Sequence, residues 1–172
     1  QSMPFFGIIA ISATFVVTLG EIDLSFPSIV GITSLIFGII MTSTDGNFFI
    51  AFILATSLGM FAGLVNGLLV TKIGIPSIVA TIGTLFFWRG LVNVISQGSG
   101  IAIVDVADGT WHHMIFVEKL FGKIPMQFIW FIVLTGLMQW VYRYHKFGNH
   151  IHFVGDNLSL IHISEPTRQN QI

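Results

Sequence analysis

The sequence has no cysteine, and only 9% of its 172 residues are charged. Without cysteine there is no disulfide and no thiolate metal site, and the redox compartment is not written in the chain. The scarcity of charge excludes more. A water-soluble domain carries about 25% charged residues because its surface must be hydrated, so this chain cannot cover a globule in water. Formal net charge is −1, and there is no clustered basic face of the kind that nucleic acid requires. Also missing are the GxxxxGK[ST] phosphate loop, the GxSxG nucleophile turn and the HExxH zinc motif. Gln1-Ser2-Met3-Pro4 lacks the basic start of a cleavable signal. No catalytic residue, metal set or cofactor is assigned.

What is abundant is hydrocarbon. Hydrophobic residues make up 53% of the chain, and the mean hydropathy is +0.86, which points to lipid as the solvent. A membrane-crossing helix needs about 20 apolar residues, at about 1.5 Å rise each across a core about 30 Å thick. Five stretches qualify or nearly so: 5–19, 26–42, 48–70, 75–95 and 124–142. The expected fold is an all-α polytopic transmembrane bundle. The first two runs are short and flank the polar insert Glu21-Ile22-Asp23-Leu24-Ser25. Residues 43–47 read as a turn, and 96–123 as the one long polar loop, with a short interfacial helix expected over 111–121 because Trp111, Ile115 and Phe116 share a face. Lys72, Arg143 and Lys146 follow span ends, which puts those ends in the cytoplasm and the long loop outside.

Gly59, Gly63 and Gly67 recur every four residues, with Ala55 continuing the row. Such a row lets two helix backbones approach closely in lipid, so it is expected to face a helix. The tryptophans Trp88, Trp111, Trp130 and Trp140 lie mostly near span ends, as in an interfacial aromatic belt. Adjacent His112 and His113 point apart and are a poor metal pair.

Residues 158–168 read LSLIHISEPTR, which resembles the in-frame translation of a transposase-type sequencing adapter. Segment 158–172 is therefore expected to be non-native and disordered or poorly packed, leaving 1–157 as a partial transmembrane domain. The native protein is expected to begin before Gln1 and to continue beyond Asn157.

Three segments of 1–157 resemble the permease subunits of bacterial ATP-binding-cassette importers for simple sugars, the ribose/xylose type. The first is Leu19-Gly20-Glu21-Ile22-Asp23-Leu24-Ser25-Phe26-Pro27-Ser28, similar to G-[GE]-I-D-L-S-x-x-S. The second runs from Gly63-Leu64-Val65-Asn66-Gly67 through Ile75-Pro76-Ser77 and Thr81-Ile82-Gly83-Thr84-Leu85 to Arg89-Gly90-Leu91. The third is Phe147-Gly148-Asn149-His150 through Val154-Gly155-Asp156-Asn157, where Asn149 replaces a usual basic residue and Asp156 a usual glycine. The resemblance implies a bacterial inner-membrane, multi-pass permease for a monosaccharide. It also implies a cytoplasmic ATPase that binds the ATP, a second permease subunit and a periplasmic sugar-binding protein. As it stands the chain resembles about half a permease and is expected to be inactive alone. A secondary transporter or channel, and a non-transporting membrane assembly subunit, are the alternatives.

Ionisable and amide groups inside apolar runs are the candidate pathway residues. Glu21 and Asp23 either sit at a helix break and accept hydrogen bonds from sugar hydroxyls, or form a turn in which Asp23 or Ser25 caps the next helix. Asn66 either lines the path or bonds to a neighbouring helix. Arg89 either reaches toward the membrane surface or pairs with an acidic group.

Overall fold

The computed structural model describes residues 3–163. Helices stand on all five apolar runs: α1 (Met3–Thr18), α2 (Phe26–Ser43), α3 (Phe48–Thr71), α4 (Ser77–Ser96) and, after the long loop, α7 (Met126–Tyr144). The loop itself holds α5 (Val104–Ala107), α6 (Trp111–Phe116) and a hairpin of β1 (Lys119–Leu120) with β2 (Ile124–Pro125). A final helix, α8 (Lys146–Ile163), continues into the adapter-like segment, of which 164–172 lie outside the described residues. Among the described residues α2, α3 and α4 are long and apolar enough to cross a membrane, and α1 is apolar but shorter. In α7, Gln127, Gln139 and the Tyr142-Arg143-Tyr144 end dilute the apolar run. The chain is an all-α, multi-pass membrane protein.

Two boundaries differ from the sequence expectation. The helix at Trp111 stops at Phe116, and α7 starts at Met126 instead of 124, because a tight hairpin intervenes. Leu120 pairs with Ile124 and Lys119 with Pro125, and Phe121 and Gly122 turn the chain with φ of 53° and 70°. Other ends follow local chemistry. Pro27 in the first turn of α2 has its φ already set for helix. The Asn47 side chain accepts the Ile50 N–H at the start of α3, and α4 ends where Gln97 enters the left-handed region.

The chain divides into two compact units. One comprises Ile22–Met126, and in it α3 and α4 both pack on α2. Near its middle Ile32, Ala62 and Trp88 close together. Toward the α2–α3 turn a second cluster joins Met41, Ala51 and Ala107, so the long-loop segment folds back on that turn. The inward stripe of α3 is Ala51, Ala55, Ala62 and Asn66, and alanine at these places lets α2 come close. The other unit is formed by the residues up to Glu21 and those from Gln127 onward. There Phe15 meets the Tyr142 ring edge-on at 5.5 Å, the Thr18 and Tyr142 hydroxyls are 3.1 Å apart, and Gly7 lies flat against the Phe131 ring.

The glycine row behaves differently from its neighbour stripe. A Cβ on Gly59 would touch Thr33 at 3.4 Å, whereas Gly63 and Gly67 have nothing within 4 Å. The cause is helical pitch: a four-residue repeat drifts by about 40° per step at 3.6 residues per turn. By Gly67 the row has turned about 120° from Ala55, while the 4–7–4 spacing of the alanines and Asn66 stays on one side. Trp88 also departs from the belt expectation: it is 6% exposed, inside the first cluster.

Candidate functional site

The polar insert between Gly20 and α2 is held by one buried serine. Ser25 stands at the N-cap position of α2, but its side chain caps nothing. Its carbonyl takes the Ser28 and Ile29 N–H groups and the Ser28 hydroxyl. Its own N–H and hydroxyl instead donate to Asp23 Oδ1, at 2.7 and 2.6 Å. The Asn66 amide, 41 positions on in α3, donates to Ser25 Oγ at 2.7 Å. From α4, the Ser77 hydroxyl accepts the Ile22 N–H at 3.2 Å, and the Thr81 hydroxyl lies 3.4 Å from the Ile22 carbonyl. Ser25 is 0% exposed and Asn66 6%. Asn66 reaches the segment from α3, and Ser77 and Thr81 reach it from α4, so Ile22–Ser25 is tied to both helices by side chains and not by helix packing alone. One acceptor is left over: Asn66 Oδ1 is buried without a partner.

Of the candidate residues, this arrangement brings together Asp23 and Asn66. Asn66 takes the interhelical role and Asp23 the turn-forming one, with Ser25 between them. Glu21 belongs to the other unit. Arg89 lies on the exposed side of α4. Gly59 borders the groove described next, and Gly63 and Gly67 do not. Sequence reasoning singled out Ser25 only as a cap for α2, and gave no role to Ser28, Thr81 and Thr84, which are buried as well. The one available signal was the Asp-Leu-Ser run that opens α2.

Beside the first cluster runs an open groove of about 1040 Å³ between α2, α3, α4 and residues 99–103. Five hydroxyl side chains border it, those of Thr33, Ser34, Thr56, Ser96 and Ser99. Gly31, Gly38, Gly59 and Gly100 widen it, and no ionisable side chain lines it. Thr33 is committed to its own helix through the Ile29 carbonyl at 2.9 Å. Ser34 and Thr56 make no hydrogen bond among the described residues, which leaves both hydroxyls to a guest.

At the loop end, His112 stacks on Phe48 with ring centroids 5.0 Å apart and lies 2.9 Å from the Thr110 hydroxyl through Nε2. Thr110 also donates to the Ala107 carbonyl, which leaves its oxygen to accept from His112 Nε2. Burial, and secondarily the neighbouring His113, hold its pKa below the ordinary value of 6.5. A lowered histidine pKa stabilises the fold above the unfolded value, and this contribution is lost as pH falls through the folded one. Protection of the α5–α6 amides, measured by hydrogen exchange, is therefore expected to fall as pH drops below about 6.5. His112→Gln should flatten that dependence. No group of three or more potential metal ligands gathers among the described residues.

Apolar helices long enough to cross a membrane, tied by buried polar bonds between them, define the chain as a multi-pass membrane protein. Comparison of the sequence with known families gives the particular one. Residues 2–164 match the family described as branched-chain amino acid transport system / permease component, and the chain belongs to it. It is similar to the autoinducer 2 import system permease protein LsrC of Photorhabdus luminescens, with 31% identity over 88% of this chain and 44% of that protein. LsrC of Yersinia pseudotuberculosis is 33% identical over 88% of this chain and 41% of its own length. LsrD of Klebsiella pneumoniae is 28% identical over 88% and 46%. The chain thus spans less than half the length of the curated relatives it matches. No solved structure matches it.

Proposed function

We propose that this chain forms part of the permease subunit of an ATP-driven importer whose solute is a small, uncharged polyhydroxyl compound of the monosaccharide class. The observation that carries this reading is the groove wall: five hydroxyls and no ionisable side chain. A sugar offers many donors and acceptors, apolar C–H faces and no charge, so scattered hydroxyls on an otherwise apolar wall match it without any desolvated ion. An amino acid, as in the family's printed description, brings a carboxylate and an ammonium into a membrane interior. Both need partners there, and this wall supplies neither. The matched relatives are autoinducer 2 permeases by name, which supports a solute other than an amino acid. A secondary transporter needs an ion-coupling carboxylate along its path, and the groove has none. An assembly subunit needs no polar path at all.

The chain has no phosphate loop, so ATP hydrolysis falls to a separate cytoplasmic ATPase. A second permease subunit and a periplasmic sugar-binding protein complete the importer. The test uses a permease of the relatives' full length carrying residues 22–126 of this chain, reconstituted with those partners. Ser34→Val together with Thr56→Val is expected to lower sugar uptake roughly tenfold, at about 1 kcal/mol or slightly less per lost hydrogen bond. Uptake of leucine in preference to neutral sugars would overturn the reading.

A further inference from the structure

α4 has two unlike faces. Ala80, Thr81, Thr84 and Trp88 are buried against the rest of its unit. The other face carries Ile82, Phe86, Arg89 and Asn93, all exposed. Arg89 makes no ion pair or hydrogen bond among the described residues. At about 1.5 Å per residue, its backbone lies about 18 Å from the start of α4 and about 10 Å from its end. Helical side chains lean toward the N-terminus, which aims Arg89 away from the nearer membrane surface. Its reach of about 7 Å covers neither distance. A guanidinium cannot stay unpaired at that depth.

We infer that this face of α4 docks a second membrane-spanning helix carrying an aspartate or glutamate opposite Arg89. Charge complementarity names the partner's chemistry, because a carboxylate matches the fork of guanidinium donors and also neutralises it. Asn93, one turn on, adds an amide on the same face. There is chain to supply such a helix, since the matched permeases are more than twice as long as the aligned stretch. Arg89 is then an assembly residue and not part of the solute path. The inference rests on α4 crossing the membrane and not on the identity of the solute.

The chain is placed in phosphatidylcholine vesicles with a labelled synthetic helix of leucine and alanine bearing a central glutamate, and separately with its glutamine twin. Energy transfer reads their association, and circular dichroism reads insertion independently. The glutamate helix is expected to associate roughly tenfold more tightly than its twin. Arg89→Gln, which removes a charge and so eases insertion, should abolish the difference, and Arg89→Lys should retain part of it. Equal binding of the twins, or a glutamate preference that survives Arg89→Gln, overturns the inference. So does loss of the preference on adding phosphatidylglycerol, because lipid phosphate then covers Arg89 instead.

Discussion

Asp23→Ala is expected to destabilise the Ile22–Met126 unit by about 2–3 kcal/mol, whereas Asp23→Asn costs under about 1 kcal/mol. Asp23 Oδ1 is the acceptor for both the N–H and the hydroxyl of Ser25, and Ser25 is 0% exposed. Removing the acceptor leaves two donors in an interior with no water to replace it. The hydroxyl can swing to another acceptor, but the backbone N–H cannot. Asparagine keeps an oxygen at the same place, so the contrast between the two variants isolates the acceptor from the charge. Helix loss in a detergent titration from mild to denaturing micelles measures both. Equal effects would mean that the charge of Asp23, and not its geometry, holds the segment.

Trp88→Ala is the second large effect, at about 2–4 kcal/mol. Trp88 fills the crossing of α2, α3 and α4 against Ile32 and Ala62, and its loss leaves a void that those helices cannot close without sliding. The figure sits low in the range for soluble proteins, because lipid solvates an exposed tryptophan well and only packing is forfeited. Trp88 Nε1 has no hydrogen-bond partner. Trp88→Phe should therefore cost little more than the difference in ring size. The same detergent titration distinguishes the two, and a Phe variant as weak as the Ala variant would require a hidden polar role for the indole.

The helices were legible because lipid imposes a length and a composition that the chain displays directly. Each of the five expected helices was located from its apolar run, to within a few residues at its ends, whereas α8 (Lys146–Ile163) has no such run and was not among them. The β1–β2 hairpin escaped, since strands of two residues show no alternation and its turn depends on the backbone of Phe121 and Gly122. Asp23 and Asn66 drew attention as polar groups in apolar surroundings. What joins them did not: Ser25 is an ordinary residue before a helix, and its bond to Asn66 spans 41 positions. Serine and threonine within helices commonly bond their own backbone, so Thr81 carried no mark of its contact with Ile22. The glycine spacing was visible but its drift around the helix was not weighed, whereas the alanine stripe one position away kept to the contact.

The packing of both α3 and α4 on α2 has a consequence for how the protein is made. α2 and α3 are neighbours in sequence and can pair as soon as the turn at Asp45-Gly46 has left the ribosome and α3 has followed. α4 reaches α2 past α3, so its seat stays empty until Ser96 emerges. At about 5–20 residues per second, that interval is about one to five seconds after α3 is complete. During it the α2 surface around Ile32 and the Ile22 backbone that Ser77 and Thr81 will meet stand open, and any chaperone or insertase that shields nascent helices has its longest engagement there.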